Sequence, residues 1–211
     1  MYLYKLKVCL IIFFIINIYS CNNKANNSVD GKNGVVASVH PIASNIGIDI
    51  LKDNGNAVDA AIATGLALGV VDQFNSGLGG GCFIMIRLSN GKIFSIDGRE
   101  KAPNKATSKM YNIDNKTNLY YSQNGPLSAA VPGLPAAYIK ALNLAGTKKL
   151  SELIQPSIII AKQGFKLDDD YIRRYKINLE ELKKDSSSKE IYFDNTGKEL
   201  RKGHKFIQSD L

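Results

Sequence analysis

The segment from Ala57 to Val71 reads Ala-Val-Asp-Ala-Ala-Ile-Ala-Thr-Gly-Leu-Ala-Leu-Gly-Val-Val. Its composition predicts a helix, but one with no polar face. A helix that is apolar all round has to be buried. Small side chains at most positions let its neighbours approach closely. It falls short of the roughly 20 apolar residues that cross a bilayer, so the chain must supply its own cover. Asn56 is the expected N-cap. Upstream, Ile42, Ile46, Ile50 and Leu51 are spaced for the face of a helix running from Pro41 to Asn54, with Asn54-Gly55 as its stop. The β-branched run Val35–Val39 predicts a short strand.

After the buried helix comes Ser76-Gly-Leu-Gly-Gly-Gly-Cys-Phe83, then two apolar runs, 82–88 and 92–97. Ser89-Asn90-Gly91 between them predicts a hairpin, because Asn-Gly suits a type I′ turn. Gly79, Gly80 and Gly81 leave the backbone bare as it enters the first strand. They are not a dinucleotide fingerprint, since a helix precedes rather than follows them, and no Gly-Lys-Ser/Thr follows to make a phosphate loop. Tight packing is the expected role. Arg99 ends the return strand region in Asp97-Gly-Arg-Glu-Lys-Ala-Pro103 and offers a planar fork suited to a carboxylate. Glu100 is placed to orient it, or to cap a loop.

The stretch 107–124 reads as irregular and 125–131 as extended. Helices are expected at 136–144, ended by Gly146, and from Ser151 to Ala161, ended by Gly164. Beyond lies a polar, Lys-rich segment. Helices beside a hairpin-containing sheet predict α/β layering. A four-layer sandwich would need more strands than these runs provide.

Residues 1–21 read as an address. Lys5 and Lys7 form a positive start, Val8–Ile16 an unbroken apolar run, and Ile18-Tyr19-Ser20-Cys21 resembles a bacterial lipobox. Cleavage before Cys21 would leave a lipid-anchored protein of the bacterial cell envelope, held at the membrane through Cys21, with 22–33 as a flexible tether. Removing Lys5 and Lys7 lowers the formal charge from +8 to +6. That charge is dispersed and interleaved with acids, without a basic stripe carrying aromatics, so nucleic acid is not an expected partner. Of three Cys, Cys9 would leave with the signal and Cys21 would carry lipid, leaving Cys82 as a small core residue. No disulfide framework or metal-ligand spacing exists, and no cofactor is expected. His40 and His204 lack partners for a metal or a triad. Ser44 and Ser76 are not in a nucleophile elbow.

Seven blocks in unbroken order, from Val36-Ala-Ser-Val-His-Pro-Ile-Ala-Ser44 through Gly55-Asn-Ala-Val-Asp-Ala-Ala61, Val70-Val-Asp72, the glycine run, Asp97–Pro103, Val131-Pro-Gly133 and Ala161–Phe165, resemble the large subunit of the γ-glutamyltranspeptidases. The similarity covers 34–211. The resemblance implies an α/β (α+β) fold, part of the αββα sandwich of the N-terminal-nucleophile hydrolases. It implies a precursor that cuts itself, a small subunit beginning with a nucleophilic Thr, and transfer or hydrolysis of the γ-glutamyl group of glutathione or a similar compound. It also implies that Arg99 binds the α-carboxylate of that group.

The family large subunit continues past Leu211, and the small subunit follows it. Thr64, Thr107, Thr117, Thr147 and Thr196 all fall in large-subunit territory, so none takes the nucleophile role. The expectation is an N-terminal piece that is inactive alone. Two alternatives stay open: a non-catalytic surface lipoprotein, and a large subunit that assembles with a separately encoded small one. Asp72-Gln73-Phe74-Asn75 stands where members often carry Glu-Pro, which reads as a relaxed segment. With its covering strands absent, the apolar helix would expose a patch and the chain made alone should be poorly soluble.

Overall fold

A computed structural model describes residues 28–211 apart from residue 115. The address segment with Cys21, and the first part of the tether, lie outside the described residues. Met1–Val35 and Val36–Leu211 form separate units. In the first, residues 28–35 are exposed and carry neither helix nor strand.

The expected strand at Val35–Val39 does not form, and Val35 and Val39 are exposed. β-branched residues favour extended backbone, but a strand needs a ladder partner, and none pairs there among the described residues. The first helix, α1, spans Pro41–Lys52. Pro41 suits the first turn, where no N–H is needed. His40 caps it: its Nδ1 accepts from the Ile42 N–H at 3.2 Å. Asn54, with φ of 58°, takes the left-handed position that stops the helix.

Helix α2, Ala57–Val71, has the predicted limits, with a capping box in which Asn56 and Asp59 bond each other's backbone N–H. Nine of its fifteen residues are buried, as an apolar-all-round helix requires. Asp59 is the exception in kind, since it is fully buried and charged. Its oxygens accept from the N–H of Asn56, Thr147 and Lys148 and from the Thr147 hydroxyl, tying the start of α2 to residues about ninety positions later.

Strands β1, Cys82–Arg87, and β2, Ile93–Gly98, pair antiparallel from Cys82↔Gly98 to Arg87↔Ile93. The turn differs from the expected type I′. The Gly91 N–H donates to the Leu88 carbonyl, and Gly91 alone has positive φ, at 84°. This is a three-residue loop in which a type I turn is followed by a left-handed glycine. Ile86, Ile96 and Gly98 face the helices, while Phe83, Met85 and Ile93 stand on the open face.

The stretch expected to be irregular contains β3, Asn112–Ile113, paired with β4, Lys116–Thr117, and α3, Leu119–Gln123. A 3-10 turn at Pro126–Ser128 replaces part of the expected extended segment. Lys101 and Val131 then exchange two backbone hydrogen bonds, at 3.1 and 2.8 Å, closing the base of the 101–131 excursion. Helix α4 covers Leu134–Ala145. The single helix expected from Ser151 is two, α5 at Leu150–Leu153 and α6 at Gln155–Gln163. Pro156 has no N–H to continue the ladder, and Ile154 closes one helix and opens the next. Ser151 lies inside α5 rather than capping it.

The Lys-rich segment is more ordered than its composition predicts. It holds β5, Phe165–Lys166, then α7, Asp169–Ile177, α8, Leu179–Leu182, α9, Ser186–Tyr192, and β6, Lys205–Phe206, which pairs with β5. Among the described residues the sheets are two-stranded, so the two broad sheets of an αββα sandwich are not seen here. Two cores form instead. One gathers the hairpin, the first part of α2 and α4; the other gathers Phe165, Leu167, Tyr171, Tyr175, Leu200 and Phe206 around the end of α2.

Candidate functional site

The site grows from a junction of glycines. A Cβ on Gly81 would lie 2.6 Å from the Gly98 carbonyl oxygen and 2.8 Å from Glu100 Oε2. A Cβ on Gly133 would collide with the Gly98 and Arg99 carbonyls. The Gly80 carbonyl accepts from the N–H of both Gly133 and Leu134, each at 3.1 Å, which seats the start of α4 on the glycine loop. Packing thus accounts for Gly81. Gly79 differs from that expectation: a side chain there would meet nothing, and it lines a cleft.

That cleft, about 530 Å³, is bounded by Gly79, by residues 99–103, by Met110 and Tyr111, and by residues 127–130. Arg99 stands one residue past the end of β2 rather than within it. Its N–H donates to Asp97 Oδ1 at 3.0 Å, which fixes the backbone as it leaves the sheet. Exposure alternates from there, with Arg99 and Lys101 outward and Glu100 inward. Arg99 Nη1 lies 3.5 Å from Glu100 Oε2, beyond a good hydrogen bond, and the Arg99 side chain is 61% exposed. Glu100 Oε2 is buried and accepts no hydrogen bond. The guanidinium therefore has an acid beside it and most of its donors open to the cleft. Such a fork can hold a planar carboxylate bidentately.

Other candidates fall away from this chemistry. Burial, and then the charge of Glu100, push the Cys82 thiol up, away from the thiolate a nucleophile needs. His40 has its Nδ1 engaged in the helix cap and lies edge-on to Phe165; burial lowers its pKa against the opposing pull of Asp168 and Asp72. His204 is exposed away from the cleft, and Thr64 is buried between helices. Among the described residues, no three His, Cys, Asp or Glu side chains gather to hold a metal ion. A larger cleft, about 730 Å³, lies between α7 and residues 197–202. Its Lys183 and Lys202 are already paired with acids.

The segment Asp72–Asn75 is tied into the fold by its side chains. Asn75 donates to both Asp72 oxygens and accepts from Arg174; Gln73 donates to the hydroxyls of Tyr171 and Tyr192 at 2.8 and 2.9 Å; Phe74 packs edge-on to Tyr171. These residues are matched to the aromatic core. Sequence reasoning missed this, as it missed Asp59 and Gly133. The pairing of Gln73 with two tyrosines about a hundred residues later leaves no local signal.

A family model described as Gamma-glutamyltranspeptidase matches residues 43–211. The glutathione hydrolase proenzyme of Escherichia coli (strain K12) is 38% identical over 201 residues, covering 92% of this chain and 33% of that protein. The proenzyme of Bacillus subtilis (strain 168) is 39% identical over 184 residues, covering 86% of this chain and 31% of its own length. The crystal structure of Helicobacter pylori γ-glutamyltranspeptidase superposes with a TM-score of 0.83 at 40% identity, covering 87% of this chain and 53% of that one. The γ-glutamyltranspeptidase of Pseudomonas nitroreducens, complexed with L-DON, gives 0.76 at 32% identity over 86% and 52%. This chain spans about a third of the length of the curated relatives it matches.

In class, the fold is that of the N-terminal-nucleophile hydrolases, mixed helix and sheet. The chain belongs to the γ-glutamyltranspeptidase family.

Proposed function

We propose that this chain supplies the carboxylate-gripping part of a γ-glutamyl site, with Arg99 binding the α-carboxylate of the donor and Glu100 holding the guanidinium in place. The observation that carries this reading is the Arg99 fork, more than half exposed in a cleft floored by bare glycine backbone. The donor is glutathione or another γ-glutamyl compound, in keeping with the names of the relatives. The nucleophile is a Thr outside these 211 residues, at the head of a small subunit. Its hydroxyl oxygen forms an ester with the γ-carbonyl carbon as the amide C–N bond breaks. The hydroxyl proton passes by way of the Thr α-amino group to the leaving amine. Water or an amine acceptor then takes the glutamyl group.

Titrating the folded chain with glutathione and following amide shifts by NMR tests the grip. Arg99→Gln should weaken binding at least about tenfold, as expected for removing a charge-assisted bidentate pair. Unchanged affinity would remove Arg99 from the site. The 211-residue chain alone should not hydrolyse a γ-glutamyl anilide, and turnover would overturn the assignment of the nucleophile elsewhere. The cell-envelope location rests on the positive start, apolar run and lipobox-like Ile18–Cys21. Labelling with palmitate in a bacterial host should mark the wild type and fail for Cys21→Ser; equal labelling would refute lipidation there.

A further inference from the structure

We infer that Lys101 is a specificity-determining residue of the same cleft, selecting donors whose leaving group carries a second carboxylate. The inference rests on Arg99 as the α-carboxylate grip. Lys101 lines the cleft with Arg99 and follows it by two residues in an extended run, so their side chains share one side of the backbone. Two extended residues separate the Cα atoms by about 6.6 Å. Fully stretched side chains can spread the charges further, which suits two carboxylates at opposite ends of one small ligand rather than two on one carbon.

The two cations differ in kind. Arg99 has Glu100 beside it, and its flat fork matches a carboxylate bidentately. Lys101 is exposed and makes no ion pair among the described residues, and an ammonium is a compact point charge on a flexible stem. Its backbone is fixed by the two hydrogen bonds with Val131, so the stem swings from an anchored point. Met110, Tyr111 and Leu127 give the same cleft a less polar wall, with the Tyr111 hydroxyl donating to the Leu127 carbonyl at 3.2 Å. A γ-glutamyl ligand gripped at Arg99 would run its leaving group along this wall with Lys101 within reach. The ligand class is therefore a γ-glutamyl peptide ending in a free carboxylate, favoured over a γ-glutamyl amide of a neutral amine.

The test titrates the folded chain by NMR with glutathione, which has the second carboxylate, and with γ-glutamylethylamide, which lacks it. Lys101→Met should weaken glutathione about 3- to 5-fold and leave γ-glutamylethylamide unchanged, the size expected of one exposed ion pair. Lys101→Arg should restore glutathione binding. Raising salt should narrow the preference of the wild type and have no effect on that of Lys101→Met. Equal loss for both ligands, or no loss for either, would overturn the selective role. Arg99→Gln separates the two ideas: it should weaken both ligands alike, by at least about tenfold. If it leaves both intact, the Arg99 reading itself fails, and Lys101 loses its basis with it.

Discussion

The two cores on either side of α2 are built on opposite principles. The hairpin core brings backbones together through small residues: Ala60 and Ala63 on α2, Ala137 and Ala141 on α4, and glycines at the entry to β1. The second core is filled by rings. Tyr171 and Phe206 lie 5.6 Å apart, Tyr192 stacks on Phe206 at 5.8 Å, and Phe165 meets three aromatic neighbours edge-on. Close backbone approach fixes positions tightly, which suits the core that carries Arg99. Large interlocking rings give cohesion to a segment that is otherwise polar. The first core should therefore fail when side chains grow, and the second when they shrink.

The largest expected effect is in the aromatic core. Tyr175 is fully buried, and its hydroxyl donates to the Tyr192 carbonyl at 2.9 Å. Tyr175→Ala should cost about 4 kcal/mol in urea unfolding, while Tyr175→Phe should cost only about 1 kcal/mol for the lost hydrogen bond. A small cost for the alanine variant would mean that the rings collapse onto the gap.

Next in size is the shared network at Asp59. Burial alone would push its carboxyl up, but bonds from the Thr147 hydroxyl and from the N–H groups of Asn56, Lys148 and Thr147 outweigh that and hold it below the ordinary range. A depressed folded pKa stabilises above the unfolded value, near ~3.9, and that contribution is lost as pH falls through the lower folded value. Asp59→Asn should cost about 3 kcal/mol at neutral pH and flatten the acid limb of the stability profile. An unchanged acid limb would show that this carboxylate does not govern it.

Ala63→Leu should cost about 2 kcal/mol by overpacking the hairpin core, whereas an equally large side chain added at exposed Ala61 should be nearly neutral. Equal effects at the two sites would erase the contrast between buried and open faces of α2. Smaller still in free energy, Met85→Lys on the open face of β1 should leave the melting temperature within a degree or two and raise solubility, since Phe83, Met85 and Ile93 together expose an apolar face. Light scattering at rising concentration checks it, and unchanged aggregation would place the sticky surface elsewhere.

How much of this was legible follows the same division. Helix α2, its Asn56 cap and the hairpin are local patterns, and they lie where spacing and turn residues put them. Arg99 stood out from its side-chain chemistry and its sequence block, and its exposed side chain lines a cleft. The aromatic core was not, because Arg173 and Arg174 between them mask the i, i+4 pair Tyr171 and Tyr175, and their partners Gln73, Leu200 and Phe206 are remote. Val35–Val39 failed as a strand because a strand is a property of two segments. Gly91 was rightly a turn residue, but the hand of Asn90 was set by the loop length. Asp59 was invisible because a single acid in an apolar helix reads as an interruption until its donors are brought from residues 147 and 148.

The two hydrogen bonds between Lys101 and Val131 have a consequence for how such a protein can diverge. Everything between them leaves and returns through one clamped pair of residues, so its interior can be rewritten without moving the backbone that holds Arg99. The entropy of closing a loop grows only slowly with its length, about 0.6 kcal/mol per doubling. Insertions, deletions or wholesale replacement at 112–124 should thus be cheap for the scaffold while changing what stands between the cleft-lining Tyr111 and Leu127. The clamp makes that excursion an exchangeable part set on an unchanged scaffold.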